Sequence, residues 1–162
     1  MAPTNLLLVD DNLQFLGILR RFLQQYDDLA VLDNALDSND AIAKARQLKP
    51  DVILLDLSMK DISSLEAIPR LRADAPHVRI VVLTLMDTTA YRNAAFARGA
   101  DGFVSKVAIS VDLVPAIRNT ANHSEPASAA KPNVSRPISL GEPARYSLDF
   151  ENAVKSILEA EQ

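Results

Sequence analysis

The chain has 162 residues, 48% of them hydrophobic and 23% charged, a balance that suits a globular protein and not a disordered one. It contains no cysteine, which excludes disulfide scaffolds, zinc–thiolate sites and thiol nucleophiles. A net charge of −4 is a poor basis for neutralising phosphates, so no direct nucleic-acid binding by this chain is expected. Met1–Thr4 has no basic region, and the apolar run after it stops at Asp10, so no secretory leader is expected. No apolar run approaches the roughly 20 residues of a membrane span. These features make the cytoplasm the expected compartment, with no membrane association.

The predicted elements alternate between strand and helix. Asn5–Asp10 is a short apolar strand, and Asp10 or Asp11 is placed to cap the helix after it. In that helix Phe15, Leu19, Phe22 and Tyr26 recur at helical spacing. Leu29–Leu36 is a second strand, and Ser38 is expected to cap a helix carrying Ala41, Ala45 and Leu48. Asp51–Leu57 is a third strand. The helix expected after it, near Ser64, contains Pro69 and should therefore start late, kink or be short. Val78–Leu85 is a fourth strand, and Asp87 and Thr88 precede a helix that ends before Gly99. Asp101–Ser105 is a fifth strand, and Pro115 is expected in the first turn of the helix that follows. Five strand–helix units predict an α/β fold over residues 1–120, a doubly wound five-stranded parallel sheet of flavodoxin-like order 2-1-3-4-5. Residues 121–146, rich in Pro, Ala and Ser, are expected to form a linker. Residues 147–162 predict an amphipathic C-terminal helix, with a stripe of Phe150, Val154, Ile157 and Leu158 and with Ser147 or Asp149 as cap.

In a doubly wound sheet, ligands sit beyond the carboxyl ends of the strands. Those ends carry Asp10 and Asp11, Asp56, Thr84 and Lys106. Three carboxylates close together repel one another, and a hard divalent cation with oxygen ligands, Mg2+, would compensate them. With Lys106 the positive charge would then match the three carboxylates, and the site could receive a phosphoryl group on Asp56 as nucleophile. A metallophosphatase is not favoured, because the second residue after Asp56 is Ser58 and not a further carboxylate. His77 and His123 have no neighbours that would make a metal or relay site.

These residues, together with DVILLDLSM and GADGFVSK, resemble the receiver domain of bacterial response regulators, the CheY-like superfamily. The likeness covers residues 5–120 and is greatest to receivers of regulators with a helix-turn-helix output. It implies that Asp56 is the phosphoacceptor and that Asp11, Asp10 and the Ser58 backbone carbonyl bind Mg2+ with it. It further implies that Thr84 and Lys106 contact the phosphoryl oxygens and that Phe103 is the switch aromatic. A histidine kinase or phosphotransfer protein would be the donor, and the domain would catalyse only its own phosphorylation and dephosphorylation. The chain departs from the pattern at Val107, where proline is usual, at Lys60 and Ser63–Ser64 in the loop after Asp56, and at Leu85, where a small residue is usual.

Three functions compete at this level. The first is a two-component switch whose protein-interaction surface answers to phosphorylation and is read by an output protein. The second is the receiver part of a DNA-binding transcriptional regulator whose output domain is absent here. The third is a phosphorylation-independent pseudo-receiver scaffold. A homodimer through the fourth-helix side, near Tyr91 and Phe103, is a further expectation. The C-terminal helix is expected to cover a surface on its own domain, a second copy or a partner, in a phosphorylation-dependent way.

Overall fold

The computed structural model describes residues 2–57, 64–85, 88–122 and 147–160. Five parallel strands, β1 (Thr4–Val9), β2 (Leu29–Ala35), β3 (Val52–Asp56), β4 (Arg79–Thr84) and β5 (Gly102–Ser105), form one sheet of order β2-β1-β3-β4-β5. The helices are α1 (Leu13–Leu23), α2 (Ser38–Leu48), α3 (Ser64–Asp74), α4 (Thr89–Ala97), α5 (Ile109–Asn122) and α6 (Ser147–Ala160), with a short 3-10 turn at Lys106–Ala108. The strand order is the one the sequence predicts, and the doubly wound architecture with a separate C-terminal helix follows it.

Both faces of the sheet are covered. Val52, Ile53, Leu54 and Leu55 of the central β3 are therefore at most 1% exposed, and the strand has no polar face. Alternation still sorts its side chains between two cores. Leu6, Leu8, Val52, Leu54, Val81, Leu83 and Val104 face α1, α5 and α6. Leu7, Val9, Ile53, Leu55, Ile80 and Val82 face α2, α3 and α4. The C-terminal helix belongs to the first layer. Phe150, Val154, Ile157 and Leu158 are all buried there, and the Phe150 ring stacks on Phe22 at 4.1 Å between centroids and 13° between planes. Each such side chain contributes about 1.5–3 kcal/mol when fully buried, which offsets the marginal stability of a short helix alone in water.

Several caps differ from expectation. Asn12, not Asp10 or Asp11, caps α1, its side chain accepting from the Phe15 N–H at 3.0 Å. Asp10 is held inward and accepts the Asn12 N–H at 2.9 Å. Asp37, not Ser38, caps α2 by accepting from the Asp40 N–H at 2.8 Å; Ser38 is the first helical residue and is 1% exposed. Thr88 caps α4 as expected, through the Tyr91 N–H. Asp87 and the side chains of Ser147 and Asp149 lie outside the described residues.

The prolines are also placed differently. Helix α3 starts at Ser64 and keeps eleven residues with Pro69 inside, so it is neither late nor short. Ala67, Ile68 and Leu71 are at most 1% exposed, and that burial outweighs the one hydrogen bond Pro69 cannot donate. Pro115 is the seventh residue of α5, not in its first turn. The helix tolerates it because Val111, four residues earlier, is 52% exposed and its turn is open to water. Gly99 ends α4 at φ +110°, where a Cβ would meet Arg72 Cγ at 3.2 Å.

Candidate phosphoryl-acceptor site

Strand register brings the acidic residues to one level. Val9 pairs with Leu55, so Asp10 and Asp56 stand side by side, one step past the last apolar residues of β1 and β3. Asp56 pairs with Leu83, and Thr84 with Ser105, which places Thr84 and Lys106 just beyond the same edge. Alternation then divides these residues between the faces. Asp10, Asp56 and Lys106 continue the series Leu6–Leu8, Val52–Leu54 and Val104, and so lie on the α1–α5 side. Thr84 continues Ile80–Val82 on the other side, where Phe103 packs half-buried against the α2–α4 core.

Asp10, Asp56, Thr84 and Lys106 are each at most 2% exposed, while Asp11 is exposed. Lys106 Nζ donates to Asp10 Oδ2 at 2.8 Å and lies 3.4 Å from Asp56 Oδ1. The same ammonium stands 4.3 Å from the centroid of the Phe15 ring, a cation–π contact in a desolvated place. Carboxylate oxygens of Asp10, Asp11 and Asp56 all lie within 4.8 Å of one another. Burial, aided by the Asp56 charge and only partly countered by Lys106, pushes the Asp10 carboxyl up to about 7.

A hard divalent cation fits this donor set. All the side-chain donors are carboxylate oxygens, they are close enough to share one ion, and one ammonium leaves them with excess negative charge. The cluster can therefore hold a cation and present one carboxylate to an electrophile. Of the residues predicted from sequence, Asp10, Asp11, Asp56, Thr84 and Lys106 converge. Phe103 lies off the cluster with the Arg92 guanidinium 4.9 Å from its ring centroid. Ser58, and with it the altered loop at Lys60, Ser63 and Ser64, involves residues outside those described in full. The peptide at Val107 is not cis, in keeping with the missing proline.

Sequence reasoning passed over three neighbours of the site. Phe15 was legible only as a core residue of α1, because nothing local shows that its ring meets an ammonium ninety-one positions away. The position of Arg92 over Phe103 has no sequence signal at all. Asn12 had one, since an amide after two carboxylates and before an apolar helix is a good cap.

The comparisons with known proteins point the same way. A sequence model of the family described as the response regulator receiver domain matches residues 6–118. The response regulator protein VraR of Staphylococcus saprophyticus is 35% identical over 123 residues, which are 75% of this chain and 58% of that protein. The chain thus spans little more than half the length of the curated relatives it matches. Among solved structures, a LuxR-family two-component response regulator from Aurantimonas superposes with a TM-score of 0.71 at 28% identity, over 74% of this chain and 86% of the other. A response regulator from Burkholderia pseudomallei, solved with a phosphorylated aspartic acid, calcium ion and citrate, gives 0.65 at 32% identity, over 73% and 68%. No helix among the described residues is long and apolar enough to cross a membrane.

Proposed function

The chain belongs to the response regulator receiver domain family, and from that premise we propose that it is a two-component switch which takes a phosphoryl group on Asp56. The observation that carries this reading is the Lys106 ammonium, buried between Asp10 and Asp56 in a cluster with more carboxylates than cations. In the proposed step an Asp56 carboxylate oxygen attacks phosphorus. The bond from phosphorus to the donor's leaving atom breaks, and its electron pair departs with the donor, a phosphohistidine of a kinase or phosphotransfer protein or a small acyl phosphate. Hydrolysis of the acyl phosphate by water returns the free carboxylate.

Asp10, Asp11 and Asp56 would hold Mg2+, with the Ser58 carbonyl as a further ligand. When bound, the ion supplies positive charge next to the transferring oxygens. The chain's own part is positioning. Lys106 reaches the acceptor with its stem enclosed, Phe15 holds the ammonium from below, and Thr84 supplies a hydroxyl from the opposite face. Thr84 and Phe103 share that opposite face, which supports a route from the phosphoryl group to α4. Residues 1–120 would thus be the switching domain, 121–146 a linker and 147–162 an accessory helix. An output protein would read the altered surface.

Incubation with acetyl phosphate and Mg2+ is expected to add the mass of one phosphoryl group, about 80 Da, lost again at alkaline pH. Asp56→Asn should abolish the gain. No gain in the wild type would favour the phosphorylation-independent scaffold. The LuxR-family neighbour and the greater length of VraR support a second reading, in which this receiver governs a DNA-binding output. The intact mass of the protein from its native source decides between the two.

A further inference from the structure

The seat of α6 is built from residues that adjoin the gripping residues of the site. Leu85, directly after Thr84, packs against the same apolar cluster as Phe150, Val154, Ile157 and Leu158. Ile109, three residues after Lys106, is 1% exposed in that cluster. Ser110, the next residue, donates from its hydroxyl to Glu151 of α6. A crevice between the site and the helix is lined by Leu85, Lys106 and Val107 on one side and by Glu151, Lys155 and Glu159 on the other. On the far side of α6, Phe150 is stacked on Phe22 of α1, the helix that also carries Phe15 under the Lys106 ammonium.

We propose that docking of α6 on the α1–α5 face and phosphorylation of Asp56 oppose each other, so that α6 is a phosphorylation-released ligand of its own receiver. The inference rests on the reading of Asp56 as phosphoacceptor. Two observations set its direction. With α6 docked, Lys106 is engaged more closely with Asp10, at 2.8 Å, than with Asp56, at 3.4 Å. A phosphoryl group on Asp56 draws that ammonium away from Asp10, and the Lys106–Ala108 turn leads straight into Ile109 and Ser110 beneath α6. Charge acts in the same direction. Glu151 and Glu159 face Lys106 and Lys155 across the crevice, and a phosphoryl group that draws Lys106 to itself leaves the two glutamates with Lys155 alone. Release of α6 would uncover Phe22 and the α1–α5 face for a partner carrying a helix of similar apolar spacing.

Linkage makes the effect reciprocal, and typical couplings correspond to about fivefold or more. Hydrogen exchange and intact mass on the same full-length samples test it. Addition of beryllofluoride with Mg2+ is expected to speed amide exchange across α6 by about fivefold or more at every protein concentration, since docking is within one chain. Phe150→Asp, which undocks α6, and the milder pair Ser110→Ala with Glu151→Gln, are expected to raise the rate of phosphorylation by acetyl phosphate. Exchange in α6 that stays the same or slows while the mass shows Asp56 phosphorylated overturns the inference. Exchange that depends on protein concentration also overturns it, in favour of α6 exchanged between copies. If no sample gains mass, the assignment of Asp56 has failed and the linkage falls with it.

Discussion

The two ends of the parallel sheet hold buried charge in opposite ways. At the carboxyl ends, three carboxylates gather around one ammonium. At the amino ends of β4 and β5, one carboxylate, Asp101, is surrounded by cations and donors. Arg72 and Arg79 both pair with it, and the Ile80 N–H donates to it at 2.8 Å. Arg72 is itself satisfied by the Gly99 carbonyl at 2.8 Å and by the Val78 carbonyl. This second cluster ties α3, the end of α4 and two strand starts together, and its one excess cation is met by backbone carbonyls on Arg72. Buried charge alone is therefore no mark of function in this molecule. The mark is an excess of clustered carboxylates that a bound cation can correct.

The largest effect expected from this contrast is at the Asp101 end. Asp101→Ala takes the shared carboxylate from two guanidinium groups and the side-chain acceptor from the Ile80 N–H, and urea unfolding should show a loss of about 3 kcal/mol. Phosphorylation of the surviving folded fraction should be unchanged. Equal destabilisation by Asp101→Ala and by Asp10→Asn would break the comparison.

At the other end the sign reverses. The Asp10 carboxyl is raised from 3.8 to about 7 in the folded chain. Between those values the folded state holds a proton that the unfolded state has released, so this group lowers stability as pH rises through the window, until both states are ionised. Metal-free Asp10→Asn should lack that loss and exceed the wild type at pH 7.5 by on the order of 2 kcal/mol. Melts of both proteins without metal from pH 4 to 8 check the divergence, and parallel curves would contradict it.

Magnesium should correct the same imbalance. At ten times the dissociation constant, mass action adds about 1.4 kcal/mol of stability. Asp11→Ala should remove the thermal shift, whereas Arg72→Ala should keep it. The smallest effect belongs to exposed pairs. Arg118 and Asp28, each about half exposed, are joined at 2.9 Å, and Arg118→Ala should change stability by less than about 1 kcal/mol, further reduced by salt.

Much of this contrast was legible in the residues. An apolar run that stops at a carboxylate marks the end of a buried strand, so Asp10, Asp56 and Lys106 could be placed at one edge before any contact was known. The cluster around Asp101 was not legible. Arg72 lies on α3 and reads as a solvated helix residue until the fold brings it against Gly99 and Asp101. Caps show the same limit on a smaller scale. Adjacent candidates such as Asp37 and Ser38, or Asp10 and Asn12, are equivalent by composition, and the one drawn inward, Ser38 or Asp10, leaves the cap to its neighbour.

By itself the sequence determined the five-strand order, the two periods and the identity of the charged groups at the strand ends, because these depend on local spacing and short crossovers. Tertiary structure alone decided which charges meet, that Phe15 lies under Lys106, and that the stripe of α6 is spent on the α1–α5 face of its own domain. An apolar stripe states how much surface it must cover and not which surface. That choice follows from shape and from the groove beside Phe22 and Ile109, which exists only once distant helices have packed.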